Sequence, residues 1–371
     1  MDSFEVENFR SLKHLKLEKL ARVNLLVGKN NVGKTSVLES IYCLAKIGTP
    51  AWFERILRER QVPLLEADFA HLFYGLSGGT DIKLSVLFAL RSANAGLAHQ
   101  LSASLKLQRF FIETESFDLD DTSARTDTSH ELNILIKSDA TSDPISYSLQ
   151  LDGRGNRIKR HALRFGDHVV ADTGNTNLVA PFLTKTALIS SYPRLRNASL
   201  AIGQIKVAKE DNELVDVLRQ IDSRIERVEL GNNGQILFNL GPQFPTLLPA
   251  SSMGEGIQRL LLLIASIVNS KGGLVLIDEI DNGLHYSALR VLWKGILYAA
   301  RKHNVQVFAT THSAEALRHL TWVLDEEENA SFRDDVAAYT LIRAKDDTVR
   351  SFRYDYEQLD FALEHDMEVR N

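Results

Sequence analysis

The chain has 371 residues, 44% of them hydrophobic and 25% charged, with a formal net charge of −5. These proportions exclude wholesale disorder, supply apolar surface for a large core and leave no global basic field to recruit nucleic acid or anionic lipid. The single cysteine, Cys43, excludes an internal disulfide framework and a cysteine-rich zinc site and suits a reducing cytoplasm.

The opening segment MDSFEVENFRSLKHLKL is charged and alternates in polarity. That pattern predicts strands over residues 3 to 8 and 14 to 17, and it lacks the apolar core of a secretory signal. Val23 to Val27 is a short apolar run ending in glycine, after which a helix is expected from Thr35 to about Ala45. Residues 49 to about 75 read as helical and mixed. Between Ile82 and Gln150 short alternating runs separated by Gly, Asp and Ser predict antiparallel strands, with Asp118 to His130 as an exposed loop.

Residues 194 to 228 return to helical spacing, with Leu214, Val217, Leu218, Ile221 and Ile225 on one face. From Ser252 onward helix and strand alternate. A helix to about Asn269 stops at Gly272-Gly273, the strand Leu274 to Ile277 follows, and then come a helix over Ala288 to Lys302 and the strand Val305 to Thr310. Such alternation indicates parallel βαβ units. The longest apolar stretch, Leu260 to Val268, is interrupted by Ser266, falls short of a membrane span and reads as a buried helix.

The chemistry lies at the ends of these elements. Gly28-Lys-Asn-Asn-Val-Gly33-Lys34-Thr35 fits the G-x-x-x-x-G-K-[ST] phosphate loop and sits between an apolar strand and a helix, as that motif requires. Glycines let the backbone wrap phosphates, and amides at the helix start point inward. Gly28, Asn30, Asn31, Gly33, Lys34 and Thr35 are therefore expected to bind ATP, with Lys34 on the β and γ oxygens and the Thr35 hydroxyl on Mg²⁺. Ser36 adjoins this set, one place out of register. Val275 to Ile277 leads into Asp278 and Glu279, the first expected to hold Mg²⁺ and the second to polarise an attacking water.

Ser251-Ser252-Met253-Gly254-Glu255 precedes an apolar helix, where amides and the positive dipole end would meet an anion; the same Ser252 and Glu255 also fit an ordinary capping box. His312, in Phe308-Ala-Thr-Thr-His-Ser, follows a buried strand where a polar group could reach a γ-phosphate, a structural histidine being the alternative.

The order of these pieces resembles the ABC-type ATPase heads of the SMC and RecF group, most nearly the stand-alone ATPases close to the OLD (overcoming lysogenization defect) family. The resemblance covers residues 1 to 45 and 247 to 320. It implies an α/β P-loop NTPase fold of ABC-ATPase type, a mixed or parallel sheet flanked by helices, with an inserted antiparallel β-rich and helical lobe. The implied nucleotide-binding lobe comprises 1–48 and 247–345, the inserted lobe 49–246 and the C-terminal tail 346–371. Tyr354, Tyr356, Leu359, Phe361 and Leu363 of the tail are expected to pack on the ATPase lobe, the alternative being a docking surface.

The resemblance further implies that Ser252, Gly254 and Glu255 form the signature motif, which contacts the γ-phosphate held by the opposite subunit. Asp281 falls in the D-loop, His312 is the switch histidine, and Arg10 of Asn8-Phe9-Arg10 lies near the nucleotide base. The glutamine loop finds no clear counterpart, Gln61 and His71 being the candidates. With the short stretch given after His312, the Toprim nuclease domain of full OLD nucleases is not expected in cis.

The expected activity is ATP hydrolysis by Lys34, Glu279 and His312 with Mg²⁺, in a cytoplasmic homodimer that switches a nearby-encoded protein effector or a nucleic-acid transaction such as DNA maintenance or anti-phage defence. Direct action on DNA in the manner of RecF is the alternative, supported by Arg154, Arg157, Lys159, Arg160 and Arg164 in one stretch. The nucleotide-binding subunit of a transporter is a further alternative. It is disfavoured by the Pro249-Ala-Ser-Ser-Met-Gly-Glu stretch that stands for the longer transporter signature, and no membrane association is expected.

Overall fold

A computed structural model describes residues 1–47, 51–60, 69–76, 80–89, 98–114, 125–138, 144–151, 158–165, 168–169, 185–191, 196–365 and 369. The N-terminal elements are β1 (Ser3–Phe9), β2 (Leu12–Glu18), β3 (Val23–Val27), α1 (Lys34–Lys46) and α2 (Ala51–Glu59). Next come β4 (Ile82–Ala89), β5 (Ala98–Thr114), β6 (Arg125–Ser138), β7 (Ile145–Leu151), β8 (Ile158–Phe165), β9 (His168–Val169) and β10 (Thr186–Ile189). The chain continues with α3 (Arg196–Val207), α4 (Asp211–Arg219), β11 (Arg227–Leu230), β12 (Ile236–Asn239), β13 (Leu248–Pro249), α5 (Glu255–Asn269) and β14 (Leu274–Ile277). It ends with α6 (Tyr286–Lys302), β15 (Gln306–Thr310), α7 (Ala314–Asp325), β16 (Val336–Arg343), β17 (Val349–Tyr354) and α8 (Tyr356–Glu364).

The chain divides into two compact units, one made of Met1–Lys19, Glu39–Leu183 and Arg343–Arg350, the other of Leu20–Leu38, Thr184–Ile342 and Ser351–Asn371. The first unit holds an eight-stranded sheet in the order β2-β1-β4-β5-β6-β7-β8-β9. Its pairs are antiparallel, and where the side chains are described, alternate positions of the strands are buried. Register aligns the apolar positions into rows across the strands, Leu15–Val6–Leu84–Ala103–Ile136 being one, all buried. Helix α2 buries Trp52, Phe53, Ile56 and Leu57, and the Phe53 ring lies 4.7 Å from that of Phe69.

In the second unit a six-stranded sheet runs β10-β14-β15-β3-β16-β17, and the strands from β10 to β16 are parallel. Every residue of β3 and β14 is buried, the mark of strands covered on both faces. Helix α5 is apolar nearly all round because it lies inside that core, where each fully buried Leu or Ile contributes roughly 1.5–3 kcal/mol. Glycine stands at 273, just before β14, because no side chain fits there: a Cβ would lie 1.8 Å from the Lys185 carbonyl oxygen at the foot of β10. A small three-stranded sheet, β11-β12-β13, completes the unit.

Local expectations are revised at several points. Residues 125–130 belong to β6 rather than to a loop, because β5 extends the ladder as far as Thr114↔Arg125; residues 118–124 lie outside the described set. Helix α4 stops at Arg219, whose guanidinium turns to the carbonyls of Ile225 at 2.7 Å and Glu226 at 3.0 Å, so Ile221 and Ile225 pack from a turn and not from a helix face. The C-terminal segment is ordered as β17 and α8, with Leu359 buried and Tyr354, Tyr356 and Leu363 packed on the core, whereas Phe361 is exposed. Among the described residues no helix is long and apolar enough to cross a membrane.

Candidate functional site

The phosphate loop is shaped by backbone conformations that its sequence makes possible. Strand β3 ends at Val27, and Gly28 follows with φ 145°, where a Cβ would come within 2.6 Å of the Leu341 carbonyl oxygen. Asn31 at φ 65° and Gly33 at φ 112°, both in the left-handed region, then turn the chain into α1. No acidic residue of α1 itself occupies its first turn, and the carboxylate that faces this positive helix end is that of Asp278.

Lys34 is 9% exposed and donates to the carbonyls of Gly28 at 2.7 Å and Lys29 at 3.0 Å, spanning the loop from within. Burial holds its ammonium below the usual lysine pKa, against the opposing pull of Asp278 and Glu279. Asn30 and Asn31 are exposed on the loop, and Ser36 is buried behind it.

Asp278, directly past β14, is the centre of the polar cluster. The Thr35 hydroxyl lies 3.1 Å from both its carboxylate oxygens, that of Thr310 donates to Oδ1 at 2.7 Å, and that of Ser191 donates to Oδ2 at 3.2 Å. Hydroxyls from the start of α1, the end of β15 and the end of β10 thus converge on one carboxylate. An all-oxygen donor set of this kind fits a hard divalent cation such as Mg²⁺.

Glu279 follows in the left-handed region at φ 49°, a conformation unusual for a residue with a side chain. Its amide donates to Thr310 Oγ1 at 2.8 Å and its carbonyl accepts from Arg259 at 3.0 Å. The turn continues through Asp281, which accepts the Thr311 hydroxyl at 2.6 Å, and Asn282, whose amide side chain donates to the Ser191 carbonyl at 2.9 Å.

Ser252, Gly254 and Glu255 are exposed at the start of α5, with Met253 between them anchored in the core. The capping box expected from Ser252 and Glu255 is not formed. Gly254 is the N-cap, no side chain caps the helix, and a Cβ at Gly254 would meet nothing within 4 Å. His312 is exposed beyond β15, and Ser313 caps the following helix by accepting the Ala316 amide at 3.1 Å. Arg10 belongs to the other unit, where it pairs with Glu39 at 3.4 Å; burial is the largest influence on its guanidinium and lowers its pKa.

The fold therefore brings Gly28, Gly33, Lys34, Thr35, Asp278 and Glu279 into one site, and it adds Ser191, Arg259 and Thr310, which the sequence did not single out. Ser191 follows the strand beside β14, but β10 has only four residues and carries no motif. Of the two glutamine-loop candidates, Gln61 lies outside the described residues, and His71 is exposed on a 3-10 turn of the other unit.

Comparison with known proteins bears on this site. Residues 23–318 match the family model described as "AAA domain, putative AbiEii toxin, Type IV TA system". An ATP/GTP phosphatase of Helicobacter pylori is 24% identical over 350 residues, 89% of this chain and 90% of that protein. The DNA replication and repair protein RecF of Clostridioides difficile is 53% identical over 45 residues, 12% of each chain. Among solved structures, an SMC head bound to the C-terminal winged-helix domain of ScpA superposes with a TM-score of 0.53 at 10% identity, over 97% of this chain and 99% of that one, a likeness of fold.

Proposed function

Since the chain belongs to this AAA-domain family, with an ABC-ATPase-like P-loop fold, we propose that it binds Mg²⁺–ATP and hydrolyses it in a dimer formed head to tail around the nucleotide. The observation that carries this reading is the contact of Thr35 with Asp278, which joins the phosphate loop and the end of β14 in one polar site. The likeness to an ATP/GTP phosphatase along most of both chains supports the same chemistry.

In this reading the amides from Gly28 to Thr35, with Asn30, Asn31 and Ser36 around them, enclose the phosphates, and Lys34 neutralises their β and γ oxygens. Thr35 and Asp278 would hold Mg²⁺, which when bound offsets negative charge on the same oxygens. Glu279 orients a water for in-line attack and accepts its proton. The new bond is from water oxygen to γ-phosphorus, the bond to the β–γ bridging oxygen breaks, and ADP and inorganic phosphate leave. His312 approaches the γ-phosphate from the end of β15.

The second half of the site comes from another copy. The start of α5 has no side-chain cap and exposes Ser252, Gly254 and Glu255, so its first amides are suited to a γ-phosphate held by a facing subunit, with the acidic Glu255 in that turn offsetting part of the helix dipole. Asp281 lies in the turn that follows β14, beside Glu279. ATP then joins two subunits and hydrolysis releases them, a cycle read out by a partner protein, with OLD-type DNA maintenance or defence as the setting.

Release of phosphate from Mg²⁺–ATP tests this reading. The parental chain should turn over, and Glu279→Gln should bind ATP, accumulate as a dimer and lose at least about 100-fold in rate. A Glu279→Gln variant as fast as the parent overturns it. Direct action on DNA is the second reading; it draws on the short RecF likeness and on Lys159, Arg160 and Arg164 along β8, while Arg154 and Arg157 lie outside the described residues.

A further inference from the structure

Arg259 is out of keeping with its helix. The other buried residues of α5 are hydrophobic, yet Arg259 sits among them at 5% exposure. Its Nη1 donates to the carbonyl of Ser190 at 3.0 Å, and its Nη2 donates to the carbonyls of Asp278 and Glu279, each at 3.0 Å. Its Nε is buried and has no hydrogen-bond partner. Burial draws the guanidinium down to about 10, against the pull of Asp278, Asp281 and Glu279.

A leucine would fill this space without that desolvation, so packing alone does not account for the residue. What the guanidinium supplies and a leucine cannot is a fork of donors that ties three peptide carbonyls from two strand ends to one helix.

Those carbonyls flank the most constrained backbone of the site. Glu279 at φ 49° persists only because its surroundings dictate it. Its amide is held by Thr310, and its carbonyl accepts from Arg259 and from the Asn282 amide, both at 3.0 Å. The carbonyl of Ser190 precedes Ser191, whose hydroxyl donates to Asp278.

We infer that Arg259 is a positioning residue for ATP hydrolysis, which fixes the Glu279 turn and the Ser190–Ser191 strand end without itself touching the nucleotide. This rests on the catalytic reading of Glu279 given above. Because α5 starts directly after Ser252 and Gly254, the same side chain ties the signature helix to the peptide that bears the catalytic carboxylate of its own subunit.

The test uses the full chain with Arg259→Lys and, as a second variant that keeps an unbranched stem, Arg259→Met. Nucleotide affinity is read with a fluorescent non-hydrolysable ATP analogue, folding by thermal melting, and hydrolysis by phosphate release under single-turnover conditions. Affinity is expected to stay within about threefold, while the hydrolytic rate falls about 100-fold, the scale set by a misplaced catalytic group. In a Glu279→Gln background the same Arg259 substitutions should change the residual rate less than about threefold, because Arg259 acts through the carboxylate already removed.

A folded Arg259→Lys or Arg259→Met that hydrolyses ATP at the parental rate overturns the inference. So does a loss of equal size with and without Glu279, or a loss of binding in step with rate, each of which marks a merely structural role. If both variants fail to fold, Arg259 is a structural residue and the inference fails. The reading of the site fails separately and is recognised by the parent and Glu279→Gln having equal rates.

Discussion

Thr35 Oγ1 lies 3.1 Å from both carboxylate oxygens of Asp278, although 243 positions separate the two residues in the chain. The contact exists because parallel pairing sets β15 between β3 and β14, and the elements following β3 and β14 meet at the same edge of the sheet. Open α/β sheets place their ligands at this edge, outside the carboxyl ends of the strands.

Asp278→Asn is the first test of that juxtaposition. The amide keeps the size of the carboxylate and a partner for Thr35 but removes the charge that would hold a divalent cation. Titration of a fluorescent ATP analogue with and without Mg²⁺ should show affinity within about tenfold of the parent and a much smaller Mg²⁺ effect, with hydrolysis reduced at least about 100-fold. Parental hydrolysis in the variant contradicts the assignment of Asp278.

Lys34→Ala addresses the loop. The ammonium is buried against two carbonyls and held below its usual pKa chiefly by burial, so a bound polyphosphate would supply the missing counter-charge. A charge-assisted hydrogen bond of about 1.5–3 kcal/mol corresponds to a roughly 10–150-fold loss of nucleotide affinity, measured by equilibrium titration. The melting temperature without nucleotide should not fall, since a desolvated charge is removed.

Gly273→Ala probes the strand that carries Ser191. A methyl group 1.8 Å from the Lys185 carbonyl oxygen forces β10 away from β14. Overpacking of this kind costs about 1–3 kcal/mol, which lowers the melting temperature by roughly 2–12 °C. The same shift displaces Ser191 from Asp278, so hydrolysis should fall with stability. A variant that melts and hydrolyses like the parent contradicts the packing described.

The sequence made legible what is encoded locally. Four apolar residues in a run of five, followed by glycine, mark β3 and its loop, and the apolar run before Asp278 marks β14. Glycine punctuation and the alternation of α5, β14, α6 and β15 indicated the parallel sheet.

Other parts were hidden because their causes are distant in the chain. β10 is a four-residue strand that is recognisable only once β14 lies beside it. Arg259 and Thr310 act on main-chain groups at the ends of β10 and β14, which no spacing rule reports. The start of α5 follows the same lesson: Ser252 and Glu255 have the spacing of a capping box, but the 3-10 turn Ala250–Ser252 and the extended Met253 place Gly254 at the cap.

The proposal that two subunits share the site is tested most directly by mixing two inactive variants. Lys34→Ala spoils the phosphate loop, and Ser252→Arg puts a bulky side chain at the exposed start of α5. Each alone should be inactive, since both sites of either homodimer are damaged. In an equimolar mixture half of the dimers are mixed, and each of these carries one site with an intact loop facing an intact α5 start. Phosphate release should therefore recover to about one quarter of the parental rate. A mixture as inactive as its components, or a Ser252→Arg variant as active as the parent, contradicts a site completed across the dimer.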